Sequence, residues 1–140
     1  MPNALLVYPE FPPSYWGGKF ALDFVGKKSN MPPLGLLTVA GMFPSEYRLK
    51  LVDINVTPLA DADLDWADVV FTSTMIVQKD SLQQVIEACN LAQVPVVVGG
   101  PHPTSFHDDI EGVDHFILDE VENTFLEFLR DLEQGSAKKM

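Results

Sequence analysis

The chain has 140 residues, the usual size of one domain and long enough to bury a hydrophobic core. Hydrophobic residues make up 46% of it and aromatic residues 10%, which excludes a disordered or fibrous protein. The formal net charge of −11 disfavours nucleic acid as a partner, because an acidic surface repels phosphodiester backbones, although the same charge also serves solubility alone.

The sequence also bears on the compartment. No apolar run approaches the roughly 20 residues of a membrane helix. The start of the chain, Met1–Asn3, has no basic segment, so the apolar run after it is not a signal peptide. The single cysteine, Cys89, has no partner for an internal disulfide, which fits a reducing cytosol. We therefore expect a cytoplasmic protein without membrane insertion.

Five short runs rich in Val, Ile and Leu predict β-strands. Most of them are apolar at consecutive positions, which is typical of strands that helices cover on both faces. In chain order they are 4–8, 49–54, 69–72, 94–98 and 115–118.

Helical patterns alternate with these strands. One helix is predicted over 32–44. It begins at Pro32 and Pro33, because the fixed φ angle of proline suits the first turn of a helix. Residues 81–92 and 121–132 carry apolar stripes at helical spacing, and a weaker helix follows Pro103. The alternation predicts a three-layer, doubly wound α/β fold with a five-stranded parallel sheet, flavodoxin-like and Rossmann-like. We expect one domain over 1–134, then a truncated linker over 135–140 of a longer protein.

In such sheets, ligands bind beyond the carboxyl ends of the strands. Glycines there allow close approach to the backbone, and hydroxyl groups supply hydrogen bonds. An unusually long loop, 9–31, follows the first strand and carries Tyr15 and Trp16. Turn and helix-cap roles remain open for the glycines, the hydroxyl residues and His102. The candidate residues at the other strand ends are Asp53, Asn55, Ser73, Thr74, Met75, Gly99, Gly100, Pro101, His102 and Glu120.

Catalytic motifs are missing from the sequence. The three histidines lack metal-ligand spacing, and there is no G-x-S-x-G, GxxxxGK[ST] or GxGxxG motif. We therefore expect this domain to bind a ligand without catalysing a reaction itself.

Three stretches together carry a family resemblance: Pro32-Pro33-Leu34-Gly35-Leu36, then Asp68-Val69-Val70 running into Ser73-Thr74, then Pro95 to His102. An acidic run, Asp119 to Glu122, precedes the last helix. The set resembles the N-terminal cobalamin-binding domain of radical S-adenosylmethionine enzymes, the grouping that includes anaerobic magnesium-protoporphyrin ester cyclases and several methyltransferases.

The resemblance implies that the chain binds a corrinoid, with the ring over the carboxyl ends of the strands. It also implies a following radical S-adenosylmethionine domain after residue 140, and S-adenosylmethionine and a [4Fe-4S] cluster would belong to that domain. Ring contacts are expected from Tyr15, Trp16 and Met75. The nucleotide tail is expected to pass near Asp53, Asn55, Ser73, Thr74, Gly99 and Gly100.

The sequence departs from other cobalamin domains at one motif. Mutase-type domains carry DxHxxG, whose histidine binds cobalt, whereas the run from Asp53 has Asn55 at the histidine position and Pro58 at the glycine position. The resemblance then implies binding without a histidine lower ligand. The alternative is a degenerate flavodoxin-like domain that binds no corrinoid and serves substrate or partner interaction. A receiver module is disfavoured, because Ser73 stands near the phosphoacceptor position.

Overall fold

The computed structural model describes residues 2–14, 18–29 and 31–139. Its centre is a five-stranded sheet in the order β2-β1-β3-β4-β5, with every neighbouring pair parallel. This order confirms the predicted doubly wound, flavodoxin-like fold. The strands are β1 (Asn3–Tyr8), β2 (Arg48–Asp53), β3 (Val69–Ser73), β4 (Val96–Gly99) and β5 (His115–Ile117).

Helices connect the strands and cover both faces of the sheet. None of those in the described ranges combines the length and apolar character that crossing a membrane requires. Short 3-10 helices occur at Asp23–Val25, Ile76–Gln78, His107–Asp109 and Val121–Asn123. The α-helices are α1 (Lys19–Leu22), α2 (Leu34–Met42), α3 (Asp61–Trp66), α4 (Lys79–Ala92), α5 (Pro101–Phe106) and α6 (Phe125–Glu133).

Side-chain alternation along the strands divides the interior into two cores. In β1, Leu5 and Val7 pack with α3 and α4, whereas Ala4 and Leu6 pack with α2 and α6. The apolar stripe predicted for 81–92 is buried against the first core. The α2–α6 face is held by aromatic contacts, including edge-on packing of Phe71 against Phe125 with centroids 5.9 Å apart. The inner strands β1, β3 and β4 are therefore packed between two layers of helices.

The second strand differs from its expected burial. The sequence predicts strands covered on both faces, but Leu49 and Leu51 are each 40% exposed. The reason is position: β2 is an edge strand, paired only with β1. Edge position therefore explains why these two leucines are more exposed than the sequence predicts.

The tail after α6 returns along the other edge strand. The Phe116 N–H donates to the Lys139 carbonyl at 2.7 Å, and Nδ1 of His115 lies 2.7 Å from the Lys138 carbonyl. Residues 138–139 thus follow β5 in the same direction, toward the carboxyl edge of the sheet. The division at residue 134 stays a prediction.

The only cysteine of the sequence is expected to be chemically inert in the folded protein. Cys89 lies in the α4 core without exposed surface, and burial, aided by the charge of Asp114, raises the pKa of its thiol to about 12. Near pH 8, only about one thiol in ten thousand is the reactive thiolate. Iodoacetamide should therefore label Cys89 in denaturant and leave it unmodified in the native protein, as measured by intact mass. Equal labelling rates in both states would contradict this burial.

Candidate functional site

A groove lies at the carboxyl ends of β3, β4 and β5, on the α2–α6 face of the sheet. It has a volume of about 260 Å³ and is open to solvent. The described side chains leave this space open, and a concave, mostly apolar pocket of this kind is the usual candidate for a ligand site. We call it the carboxyl groove; its lining residues are Gly35, Leu36, Val39, Phe71, Thr72, Ser73, Val97, Gly99, Gly100, Pro101, Ile117, Asp119, Glu120, Val121 and Glu122.

The walls and the mouth of the groove differ in chemistry. The buried walls are apolar: Leu36, Phe71 and Val97 are at most 3% exposed, and Val39 and Ile117 adjoin them. The mouth carries the exposed carboxylates of Asp119, Glu120 and Glu122, and no basic side chain is among the described residues that line it. The groove therefore suits a neutral, apolar group inside and hydrogen-bond donors at its opening.

Two glycines border the groove for different reasons. At Gly35, in the first turn of α2, a Cβ would lie 3.7 Å from Ser73 Oγ, an ordinary contact. At Gly100, with φ of 99°, a Cβ would come within 2.6 Å of Ser73 Oγ and 2.9 Å of Thr74 N. Gly35 thus keeps space clear above the groove, whereas Gly100 is required by local backbone packing.

Backbone hydrogen bonds join the loops that follow β3 and β4. The Thr74 N–H donates to the Gly99 carbonyl at 3.2 Å, and the His102 N–H donates to the Thr74 carbonyl at 3.0 Å. The Thr104 N–H donates to the Gly100 carbonyl at 3.2 Å, which starts α5 directly after the glycine pair. These bonds hold Ser73, Gly99 and Gly100 as one fixed border of the groove.

Thr74 and His102, both predicted site residues, are buried and do not line the groove. His102 instead borders a separate cavity beside α4, packs on Phe106 and is 7% exposed. Burial, and then the nearby charge of Lys79, lowers the pKa of its imidazole, which favours the neutral form. Within the described part of the chain, Thr74 Oγ1 and His102 Nδ1 have no hydrogen-bond partner.

Asp53 and Asn55 lie at the end of β2, apart from the groove lining. The Asn55 side chain accepts a hydrogen bond from the Phe11 N–H at 2.9 Å and donates to the Pro9 carbonyl at 3.2 Å. It also donates to Asp53 Oδ1 at 2.9 Å. The visible role of this pair is to anchor the segment after β1, and its predicted contact with a ligand stays a prediction.

The structure describes only one of the three predicted ring contacts, Met75. Tyr15 and Trp16 lie outside the described residues. Met75 is half-buried after β3, where its backbone N–H donates to Gln78 Oε1 at 2.9 Å. The structure thus brings Ser73, Gly99, Gly100, Pro101 and Glu120 together at the groove, and leaves five other described candidates outside its lining.

Sequence reasoning missed the residues that form the apolar walls. Phe71 and Val97 belong to strands, and Leu36 and Val39 to a helix, so their pattern indicates core positions. Gly35 is the one wall position that the sequence could have indicated. Glycine within a helix has a conformational cost, which a packing or functional need usually explains.

A flavodoxin-like sheet with an open apolar groove at its carboxyl edge defines a class of α/β proteins that bind a ligand beyond the strand ends. The model of the B12 binding domain family matches residues 27–129, which include the whole groove lining. The chain therefore belongs to the B12 binding domain family, and the resemblance seen in its motifs is confirmed.

Two curated proteins are similar to this chain. A protein of Synechocystis sp. (strain ATCC 27184 / PCC 6803 / Kazusa), named as an uncharacterized methyltransferase, is 47% identical over 135 residues, covering 95% of this chain and 25% of that protein. A hopanoid C-2 methylase of Rhodopseudomonas palustris (strain TIE-1) is 32% identical over 91 residues, covering 65% of this chain and 17% of the methylase. The chain thus spans a quarter or less of the length of these relatives.

Proposed function

We propose that this chain is the cobalamin-binding module of a cobalamin-dependent radical S-adenosylmethionine enzyme that transfers a methyl group. The carboxyl groove holds the nucleotide tail of the corrinoid, and the corrin ring lies outside it over the carboxyl edge. S-adenosylmethionine and a [4Fe-4S] cluster bind in a following catalytic domain. Support for the transfer reaction comes from the names of the two relatives, a methyltransferase and a methylase.

The observation that carries the proposal is the open apolar groove in a member of the B12 binding domain family. Its volume of about 260 Å³ is small beside pockets that enclose whole drug-sized ligands, roughly 300–1,000 Å³. A complete corrinoid exceeds that space, whereas a bicyclic base with part of its ribose does not. The residues present therefore fit the tail of the cofactor, with the ring left at the mouth.

Each part of the groove has a role in this arrangement. Leu36, Phe71 and Val97 exclude water from the buried base, and the Ser73 hydroxyl offers a hydrogen bond at the border. The carboxylates of Glu120 and Glu122 accept hydrogen bonds from hydroxyl or amide donors of the ligand. A bound cobalamin supplies a cobalt atom that carries a methyl group between donor and acceptor.

A histidine lower ligand is not part of this proposal. Among the described residues that line the groove there is no histidine. Nδ1 of His107 lies 3.3 Å from the Pro103 carbonyl, and Nδ1 of His115 faces the tail at Lys138. The chain's contribution is therefore to hold the tail and to leave the lower face of cobalt without an imidazole.

The direct test is corrinoid retention. The purified chain is mixed with hydroxocobalamin, desalted and examined by visible absorbance, and we expect the corrinoid to remain with the protein. Ligand binding should also raise the melting temperature, since a ligand at a hundred times its Kd adds about 2.7 kcal/mol to stability. Absence of retained corrinoid, from both this chain and the intact protein, would refute the proposal.

One observation favours the alternative, an accessory domain that binds no corrinoid. Asn55 occupies the position of the expected cobalt-ligating histidine, and its side chain is engaged in hydrogen bonds to Asp53, Pro9 and Phe11. In that case the groove would serve a substrate or a partner segment, and the retention experiment would show free hydroxocobalamin only.

A further inference from the structure

The buried part of the carboxyl groove is lined mainly by apolar side chains. Its walls are the side chains of Leu36, Val39, Phe71, Val97 and Ile117. Both β3 and β4 have a neighbouring strand on each side, so the backbone groups behind Phe71 and Val97 belong to the sheet ladders, whereas Ile117 lies in the edge strand β5.

The two hydroxyl residues of the lining, Thr72 and Ser73, leave the buried walls apolar. Thr72 pairs with Val7 and Val98, which belong to the α3–α4 core, and strand alternation therefore directs its side chain away from the groove. The hydroxyl of Ser73 lies at the border, close to the Cβ positions of Gly35 and Gly100. A polar atom placed against the apolar walls would find few partners there.

From this polarity pattern we infer that the groove selects the base of the corrinoid tail, preferring dimethylbenzimidazole to adenine. The inference rests on the proposed function and adds a ligand specificity to it. Both bases are bicyclic and nearly equal in size, so volume does not separate them. Adenine would bury an exocyclic amine and additional ring nitrogens without partners, whereas the methyl groups of dimethylbenzimidazole gain from apolar walls.

The acidic mouth does not reverse this preference. Asp119, Glu120 and Glu122 are exposed, and their carboxylates accept hydrogen bonds only from groups that stay near the surface. An adenine amine that turned outward to reach them would have to leave the apolar walls. Selectivity is thus set by Leu36, Phe71 and Val97 at depth.

The test compares three corrinoids that share one ring: cobalamin, its adenine-containing analogue, and cobinamide, which lacks the nucleotide. Dissociation constants are measured by absorbance titration of the purified chain. We expect the adenine analogue to bind about ten- to a hundredfold more weakly than cobalamin, the range for one or two unpaired polar groups. Cobinamide should also bind more weakly than cobalamin.

The outcomes separate this inference from the proposed function. Equal affinities of cobalamin and the adenine analogue would overturn the base selectivity and leave corrinoid binding intact. Equal affinities of cobinamide and cobalamin would show that no base enters the groove and would overturn it as well. Failure of all three ligands to bind would overturn the proposed function itself.

A variant of the wall provides an independent check. Val39 is half-buried on α2, so Val39→Thr keeps the shape of the side chain and introduces a hydroxyl group into the groove. The preference for cobalamin over the adenine analogue should become smaller in this variant. An unchanged ratio, in a variant that still binds cobalamin, would contradict the assignment of selectivity to the apolar walls.

Discussion

Gly100→Ala is expected to destabilise the fold by about 2–5 kcal/mol, because backbone strain and overpacking act at the same site. Gly100 has φ of 99° and ψ of −178°, a region that is essentially restricted to glycine. An added Cβ would stand 2.6 Å from Ser73 Oγ, 2.9 Å from Thr74 N and 3.0 Å from Thr74 O. Two of these three atoms are backbone, so a side-chain rotation does not relieve the contact.

The loss of stability is large because the atoms next to Gly100 take part in the hydrogen bonds between two loops. Thr74 N and O both take part in the hydrogen bonds that join the loops after β3 and β4. Moving them would lengthen the bonds to Gly99 and His102 and disturb the border of the groove. A loss of 2–5 kcal/mol is a large share of the roughly 5–15 kcal/mol that stabilises a typical domain.

The free energy of unfolding, measured by denaturant titration, tests this prediction. The control variant is Gly26→Ala. Gly26 also has a positive φ, 68°, but an added Cβ there would have no atom within 4 Å. The control should therefore cost only the left-handed strain of roughly 1–2 kcal/mol. If Gly100→Ala were no more destabilising than Gly26→Ala, the close packing of the two loops would be refuted.

The sheet could be predicted from sequence because its signals are local. Short apolar runs alternate with helical stripes, and the five observed strands overlap the five predicted runs, with ends that differ by two residues at most. The edge position of β2 escaped this reasoning, since Leu49 and Leu51 have the same composition as covered strand residues. Strand order decides their exposure, and order is a property of the whole sheet.

The candidate site could be predicted only as an edge of the sheet. Parallel strands bring their carboxyl ends together, so Ser73, Gly99, Gly100 and Glu120 meet at the groove as chain order suggests. Thr74 and His102 come from the same loops, but they are buried outside its lining. Adjacent residues at a strand end alternate between faces, and sequence alone does not show which face carries the groove.

The wall residues could not be separated from the core before the fold was known. Phe71 is apolar and buried, and it packs edge-on with Phe125 as an ordinary core residue would. It lines the carboxyl groove only because the helices on that face leave space beside it at the carboxyl end. Such a gap arises from how α2 and α6 lie on the sheet, which has no counterpart in local sequence pattern.

Gly35→Leu is expected to weaken corrinoid binding by about a hundredfold or more, because an occupied groove has no room for an additional side chain. Gly35 lies in the first turn of α2 and lines the groove beside Ser73. Its Cβ would make an ordinary contact at 3.7 Å from Ser73 Oγ, so the first carbon of the new side chain meets no clash. The remaining carbons of leucine would then compete with the ligand for the space between α2 and β3.

Gly41→Leu separates this steric effect from any change in the helix. Gly41 is exposed in the same helix, and an added Cβ there would meet no atom within 4 Å. Each substitution replaces glycine by a better helix former, which favours α2 by up to about 1 kcal/mol. Both variants should therefore melt at or above the temperature of the unmodified chain, and only Gly35→Leu should lose hydroxocobalamin on desalting. If Gly35→Leu retained the corrinoid with unchanged affinity, the tail would have to bind elsewhere, because a groove narrowed at its mouth by a leucine cannot hold it as before.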